Sequence, residues 1–201
     1  MEKIDGIEAL EALYSTPGAA SLRKVSGHLT PLYAKWIAAS RLCLVSTAGP
    51  EGTDGSPRGD AGPVVRILDD ECLALPDWRG NQRLDTLRNI VVDGRISLMF
   101  MVAGSNTVVR VNGAAWLTAD AGLRASFETK GRTPTTVVII EIAEVYTQCA
   151  RALMRADIWA STTSAANLPT AGAILAEVSQ GDEGGPEYDA AWGARAAKTM
   201  W

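Results

Sequence analysis

The chain has 201 residues and a formal charge of −4, with a pI near 5.1, a balance that argues against broad binding to nucleic acid or an anionic membrane surface. That length describes one domain, alone or with terminal additions, and hydrophobic residues at 47% with charged residues at 21% fit an ordinary globular protein. A domain of this size buries roughly 70% of its unfolded surface and needs no covalent staples. Cys43, Cys72 and Cys149 sit far apart without a CxxC spacing, so free, buried thiols in a reducing compartment are expected. The opening MEKIDGIEALEAL is interrupted by acids, unlike a secretion signal, and no apolar run reaches the length that spans a bilayer. A cytoplasmic address is the default expectation.

Ile4, Ile7, Leu10 and Tyr14 fall at helical spacing and predict a short amphipathic helix over 4–14, broken by Ser15-Thr16-Pro17-Gly18. A second helix is expected from Pro31 to Ser40: Thr30 stands at the N-cap, and Pro31 sits where its missing donor costs nothing. Leu42 to Thr47 reads as a buried strand. Residues 48–63 hold five glycines and three prolines and read as one long loop, a length that is often functional. Val64 to Leu68 and Cys72 to Leu75 flank Asp69-Asp70-Glu71 as a tight hairpin, and Pro76 to Gly80 forms a second loop.

From Gln82 the pattern turns helical, with Leu84, Leu87 and Val91 on one face and Asp93-Gly94 as the stop. Ile96 to Val102 (ISLMFMV) predicts a central strand buried on both faces. After the turn at Ala103 to Asn106, Val109 and Val111 alternate with Arg110 and Asn112 in a half-buried strand over 107–117. A helix over 120–130 follows, capped by Thr118 or Asp120, and then the longest strand, Thr135 to Tyr146, rich in β-branched residues. Helices are expected over 150–158, 170–179 and 190–199, with 181–186 a mobile connection between the last two. The class is α+β: about six strands, largely antiparallel, with helices at the ends and edges.

Candidate chemistry concentrates between Ser56 and Arg83. Asn81-Gln82-Arg83 is expected at a helix start, where unpaired N–H groups and the positive dipole end favour a phosphate. Arg83 would add a charge-assisted, bidentate contact. The plainer alternative has Asn81 capping the helix and Arg83 in solvent, although a cation in a first turn opposes the dipole. Arg58 lies in Ser56-Pro57-Arg58-Gly59-Asp60, where a simple turn with Asp60 answering Arg58 is the competing view. Arg66 follows Val64-Val65 in a strand, so it either points outward or takes an anionic partner. Trp78 could pack in the core or flank a planar ligand. Walker, Rossmann and GxSxG patterns are missing from the sequence. The single histidine, His28, stands in an N-terminal loop without matching ligands, so no metal site and no Ser-His-Asp triad is expected, and no catalytic side chain is assigned.

SPRGD, the hairpin, LPDWRGNQRLDTLRNI, ISLMFMV, TVVRVNG and YTQCARALMRADIW, taken in that order, resemble the FMN-binding split-barrel family of pyridoxamine 5'-phosphate oxidase-like proteins. The likeness is to a bacterial branch of FMN-dependent enzymes and covers residues 40–160. It implies an antiparallel split β-barrel over 41–150, N-terminal helices over 1–40 packing on it, and a C-terminal helical extension over 151–201. It also implies a homodimer with FMN in a cleft between subunits. By ungapped correspondence, Asn81, Gln82 and Arg83 take the place of the oxidase's Ser-Arg-Lys, and Arg66 that of its strand lysine. Arg58 stands in for the strand arginine, and Pro76 and Asp77 fall where the oxidase lines the flavin ring. Asn81-Gln82 carries less positive charge than Ser-Arg, which shifts the phosphate contact onto Arg83, Arg66 and Arg58. The segment from Gly122 to Arg132 lacks the oxidase's substrate-binding pattern. An FMN-dependent oxidoreductase for a small molecule, with NAD(P)H as a candidate donor, is therefore expected rather than vitamin B6 oxidation. A non-catalytic flavin carrier or sensor, or a binder of another phosphorylated metabolite, are the alternatives.

Overall fold

The computed structural model describes residues 1–160 and 168–200. In chain order the elements are α1 (Ile7–Glu11), α2 (Ala19–Arg23), α3 (Pro31–Ala39), β1 (Leu42–Gly49), β2 (Gly52–Gly59), β3 (Arg66–Ile67) and β4 (Cys72–Asp77). They continue with α4 (Asp85–Val92), β5 (Arg95–Met101), β6 (Val108–Thr118), α5 (Ala121–Ser126), β7 (Thr136–Gln148), α6 (Arg151–Ala156), α7 (Ala171–Val178) and α8 (Gly185–Thr199). Seven strands form one antiparallel sheet in the order β2-β1-β5-β6-β7-β4-β3. The class is α+β and the sheet does not close by backbone pairing, as a split barrel requires.

Alternation builds the core. Cys43 and Val45 on β1, Ile96, Leu98 and Phe100 on β5, Val109 and Val111 on β6, and Ile140 on β7 are all buried in one cluster with Leu73 and Leu75 of β4. Ile37 of α3 and Leu87 and Ile90 of α4 enter the same cluster. Asn89 of α4 donates from Nδ2 to Thr47 Oγ1 at 3.2 Å, and Thr86 donates to the Asp54 carboxylate of β2. These bonds fix α4 across the β1–β2 hairpin. Thr30 caps α3 by accepting from Tyr33 N, and Asp120 caps α5 by accepting from Leu123 N. By contrast, α1 and α2 bury no residue, so the N-terminal contribution to the core comes from Leu29 and α3.

Four expectations are corrected. Residues 48–63 are not one loop: Gly52–Gly59 is a full strand paired with β1 from Leu42↔Gly59 to Gly49↔Gly52. Pro57 is tolerated there because β2 is a sheet edge, where no outer neighbour needs its missing N–H. Helix α4 begins at Asp85, not at Gln82, because Gln82 takes φ 64, outside the right-handed helical region. Strand β5 is buried on one face only, since Ser97, Met99 and Met101 remain half-exposed. Of the three free cysteines, Cys43 is buried, Cys72 is half-buried and Cys149 is exposed.

Helices α7 and α8 form a hairpin whose Asp189 carboxylate accepts from Gly172 N and Thr170 Oγ1 at 2.8 and 2.5 Å. The connection between them is held by Ser179, whose hydroxyl bonds both N and O of Glu183. Arg132 donates to the Lys198 carbonyl at 3.0 Å and ties α8 to the loop before β7. The part of the expected 151–201 extension at 161–167 and 201 lies outside the described residues.

Candidate functional site at the barrel seam

The two ends of the sheet are brought together by side chains rather than by backbone. Arg58 of β2 donates from Nη1 to Asp77 Oδ1 of β4 at 2.7 Å. One step further, Trp78 donates from Nε1 to Asp60 Oδ2 at 2.9 Å. Asp60 Oδ1 also accepts from Ala61 N at 2.6 Å, which shapes the turn leaving β2. Both members of the Arg58–Asp77 pair are largely buried, at 23% and 16% side-chain exposure, so their bond is screened far less than a surface pair.

A cleft of about 160 Å³ opens in this seam, lined by Pro57, Arg58, Gly59, Asp60, Val64, Leu75, Pro76 and Trp78. Two polar atoms at the seam are buried without a hydrogen-bond partner among the described residues: Arg58 Nε and the hydroxyl of Thr136, the register partner of Asp77 on β7. A buried guanidinium N–H left unpaired is costly. A ligand acceptor placed in the cleft would relieve it. Beside the same guanidinium, Cys43 is the register partner of Arg58 on β1. Burial pushes its thiol up to about 12, the nearby Arg58 charge offsetting only part of that rise.

The seven sequence-predicted residues divide into two groups. Arg58, Pro76 and Asp77 come together at the seam. Arg66 turns instead toward α5, donating to Ser126 Oγ and the Ser126 carbonyl at 2.6 and 2.8 Å and stacking on Phe127 at 3.8 Å. Arg83 pairs with Asp85 at 2.8 Å with 77% of its side chain exposed. Asn81 Oδ1 accepts from Arg83 N at 3.0 Å in a local turn, not at the cap of α4, whose N-cap is Leu84. Gln82 lies between them in the left-handed region. Asn81, Gln82, Arg83 and Arg66 do not line the cleft. Thr136 and Asp60 were not singled out as ligand-facing from sequence, because a threonine in a β-rich run and an aspartate beside glycine read as strand and turn residues.

The model of the family described as pyridoxamine 5'-phosphate oxidase matches residues 29–149, more than half of the chain. The chain belongs to the pyridoxamine 5'-phosphate oxidase family. That match takes in α3, every strand of the sheet and the whole seam. Among solved structures, HupZ of Group A Streptococcus is similar at 19% identity and a TM-score of 0.49, covering 59% of this chain and 93% of its own. General Stress Protein 26 of Bacillus anthracis is similar at 14% identity and a TM-score of 0.43, with 57% and 88% covered. An FAD-binding protein of Mesorhizobium loti is similar at 16% identity and a TM-score of 0.42, with 61% and 94% covered. No curated protein matches the chain. For this pyridoxamine 5'-phosphate oxidase family member, the described residues include no helix long and apolar enough to cross a membrane.

Proposed function

We propose that this chain is an FMN-binding flavoprotein that acts as a homodimer and carries out redox chemistry on a small molecule in the cytoplasm, with NAD(P)H as the candidate electron donor. One observation carries the reading: the buried, unpaired Nε of Arg58 at the edge of a cleft walled by Pro76 and Trp78. In this reading the Arg58 guanidinium keeps Asp77 with one nitrogen and offers Nε to an oxygen of the ligand. Pro76, Asp77 and Trp78 border the ring, and the Thr136 hydroxyl is a further donor at the same seam. Asn81, Gln82, Arg83 and Arg66 are assigned to the phosphate end, which requires Arg83 to leave Asp85 and Arg66 to leave Ser126. When bound, FMN supplies hydride and electron transfer. The residues that line the cleft fit one wall of such a ligand. The cleft at about 160 Å³ is smaller than the roughly 300–1,000 Å³ of a typical ligand site, so a second subunit completes it in this account.

A non-catalytic carrier or sensor is the second reading, favoured by one feature of the seam. Its two carboxylates are each engaged by a neighbour, Asp60 by Trp78 and Asp77 by Arg58, rather than presented to a substrate. Anaerobic addition of NADPH or NADH to the FMN-loaded protein separates the two. Bleaching of the flavin band on a turnover timescale is expected for the oxidoreductase, and a yellow solution that stays yellow supports the carrier. If FMN leaves the melting temperature unchanged while another phosphorylated metabolite raises it, the flavin assignment falls, because a ligand bound only by the folded state must stabilise it.

A further inference from the structure

The seam lies where Asp77 pairs with Thr136 at the start of β7, and α6 follows the far end of that strand at Gln148. There a cavity of about 400 Å³ opens between α6 and the turn joining β5 to β6. Gly104 and Asn106 of the turn form one wall, and Leu153, Met154, Asp157 and Trp159 form the other. It shares no lining residue with the seam cleft, and its volume falls within the roughly 300–1,000 Å³ of small-molecule sites. The Trp159 indole donates from Nε1 to the Ser105 carbonyl at 2.9 Å. That bond ties the two walls together and holds the ring in place. On the turn side, a Cβ built on Gly104 would meet nothing within 4 Å, so this wall stands clear of other side chains.

Asp157 is the only charged residue on these walls. It closes α6 in the left-handed region at φ 47, and its carboxylate makes no hydrogen bond and no ion pair among the described residues. Arg155, in the last turn of α6, does not line the cavity. An acid at a helix C-terminus meets the negative end of the dipole, which disfavours it until a cation arrives. The other walls suit the body of such a ligand. Indole is the best ring face for an ammonium group, Leu153 and the thioether of Met154 take apolar surface, and Asn106 offers a neutral hydrogen-bonding group. A phosphate would find no cation here. We propose that this cavity is a second ligand site, separate from the seam, for an organic ammonium compound with an aromatic or apolar body, its charge paired to Asp157 and its body set against Trp159.

Isothermal titration of the full chain tests it, with tryptamine as the probe and tryptophol, in which a hydroxyl replaces the ammonium, as the neutral control. Tryptamine is expected to bind saturably with a Kd of about 1 mM or tighter. Tryptophol should bind at least about tenfold more weakly, because the charged hydrogen bond is lost. Asp157→Asn keeps the shape of an exposed side chain and tolerates the left-handed backbone. It should weaken tryptamine about tenfold and leave tryptophol unchanged, and Asp157→Lys should abolish tryptamine binding. Circular dichroism checks that both variants fold. Added FMN should leave the tryptamine affinity of wild type unchanged. Tryptamine that does not bind, that binds no better than tryptophol, or that binds Asp157→Asn as tightly as wild type would overturn the proposal. Displacement of tryptamine by FMN would overturn it as well, since the two ligands would then share one site.

Discussion

At the scale of single residues, Arg58 is the side chain on which ligand affinity should depend most. Hydrogen bonds to a charged group contribute roughly 1.5–3 kcal/mol, so Arg58→Ala is expected to weaken FMN binding by about ten- to a hundredfold. Arg83→Ala should cost less, because recruiting Arg83 means breaking its bond to Asp85; isothermal titration of both variants measures the order. Cys43 gives a pH prediction. Its thiol is raised from 9.0 to about 12 by burial, so the unfolded chain loses that proton first and stability falls between those pH values. The slope approaches roughly 1.4 kcal/mol per pH unit within the window and vanishes below it. Chemical denaturation midpoints from pH 8 to 11 for wild type and Cys43→Ala check this, with the variant expected to fall less. Arginines bracketing a hairpin were legible from sequence. Which of them face inward was not, because the partners Asp77, Ser126 and Asp85 are chosen by the folded geometry.

At the scale of elements, the hardest strand to see was β2, yet it forms half of the seam. GTDGSPRG has low intrinsic strand preference, and its pairing comes from the β1 register and an edge position rather than from its own side chains. Strand β7 was legible because β-branched residues and alternation agree there. The start of α4 was not, since local bonding of Asn81 and the positive φ of Gln82 override an apolar pattern that continues through them. The bulge between Asn112 and Gly113 offers a test of how β6 follows the barrel. A Cβ on Gly113 would lie 1.9 Å from the Glu141 carbonyl oxygen, a backbone atom that cannot step aside. Gly113→Ala is therefore expected to destabilise the protein by about 3 kcal/mol or more, read from urea unfolding. Gly49→Ala clashes with the movable Asn89 side chain and meets the Asn89 backbone only at an ordinary 3.6 Å, so it should cost less, mainly through the lost Asn89–Thr47 bond.

At the scale of the whole molecule, the barrel is a sheet whose final closure is left to two side-chain clasps, Arg58–Asp77 and Asp60–Trp78. That arrangement leaves a cleft where a seventh pairing would otherwise lie, and under the proposed function ligand binding and barrel closure become one event. Saturating FMN should therefore raise the melting temperature of wild type more than that of Asp77→Asn, in which the clasp loses its charge. Fold class followed from alternation and family resemblance, whereas the strand order did not, with β2 read as loop. The seam did not, because it joins residues from opposite ends of the sheet. The central claim is most directly tested by titrating FMN into the purified apoprotein while following flavin fluorescence, for wild type and Arg58→Ala side by side. Saturable quenching by wild type, displaced about ten- to a hundredfold in the variant, is the predicted result; FMN that stays fully fluorescent with wild type, or binds both proteins equally, would contradict it.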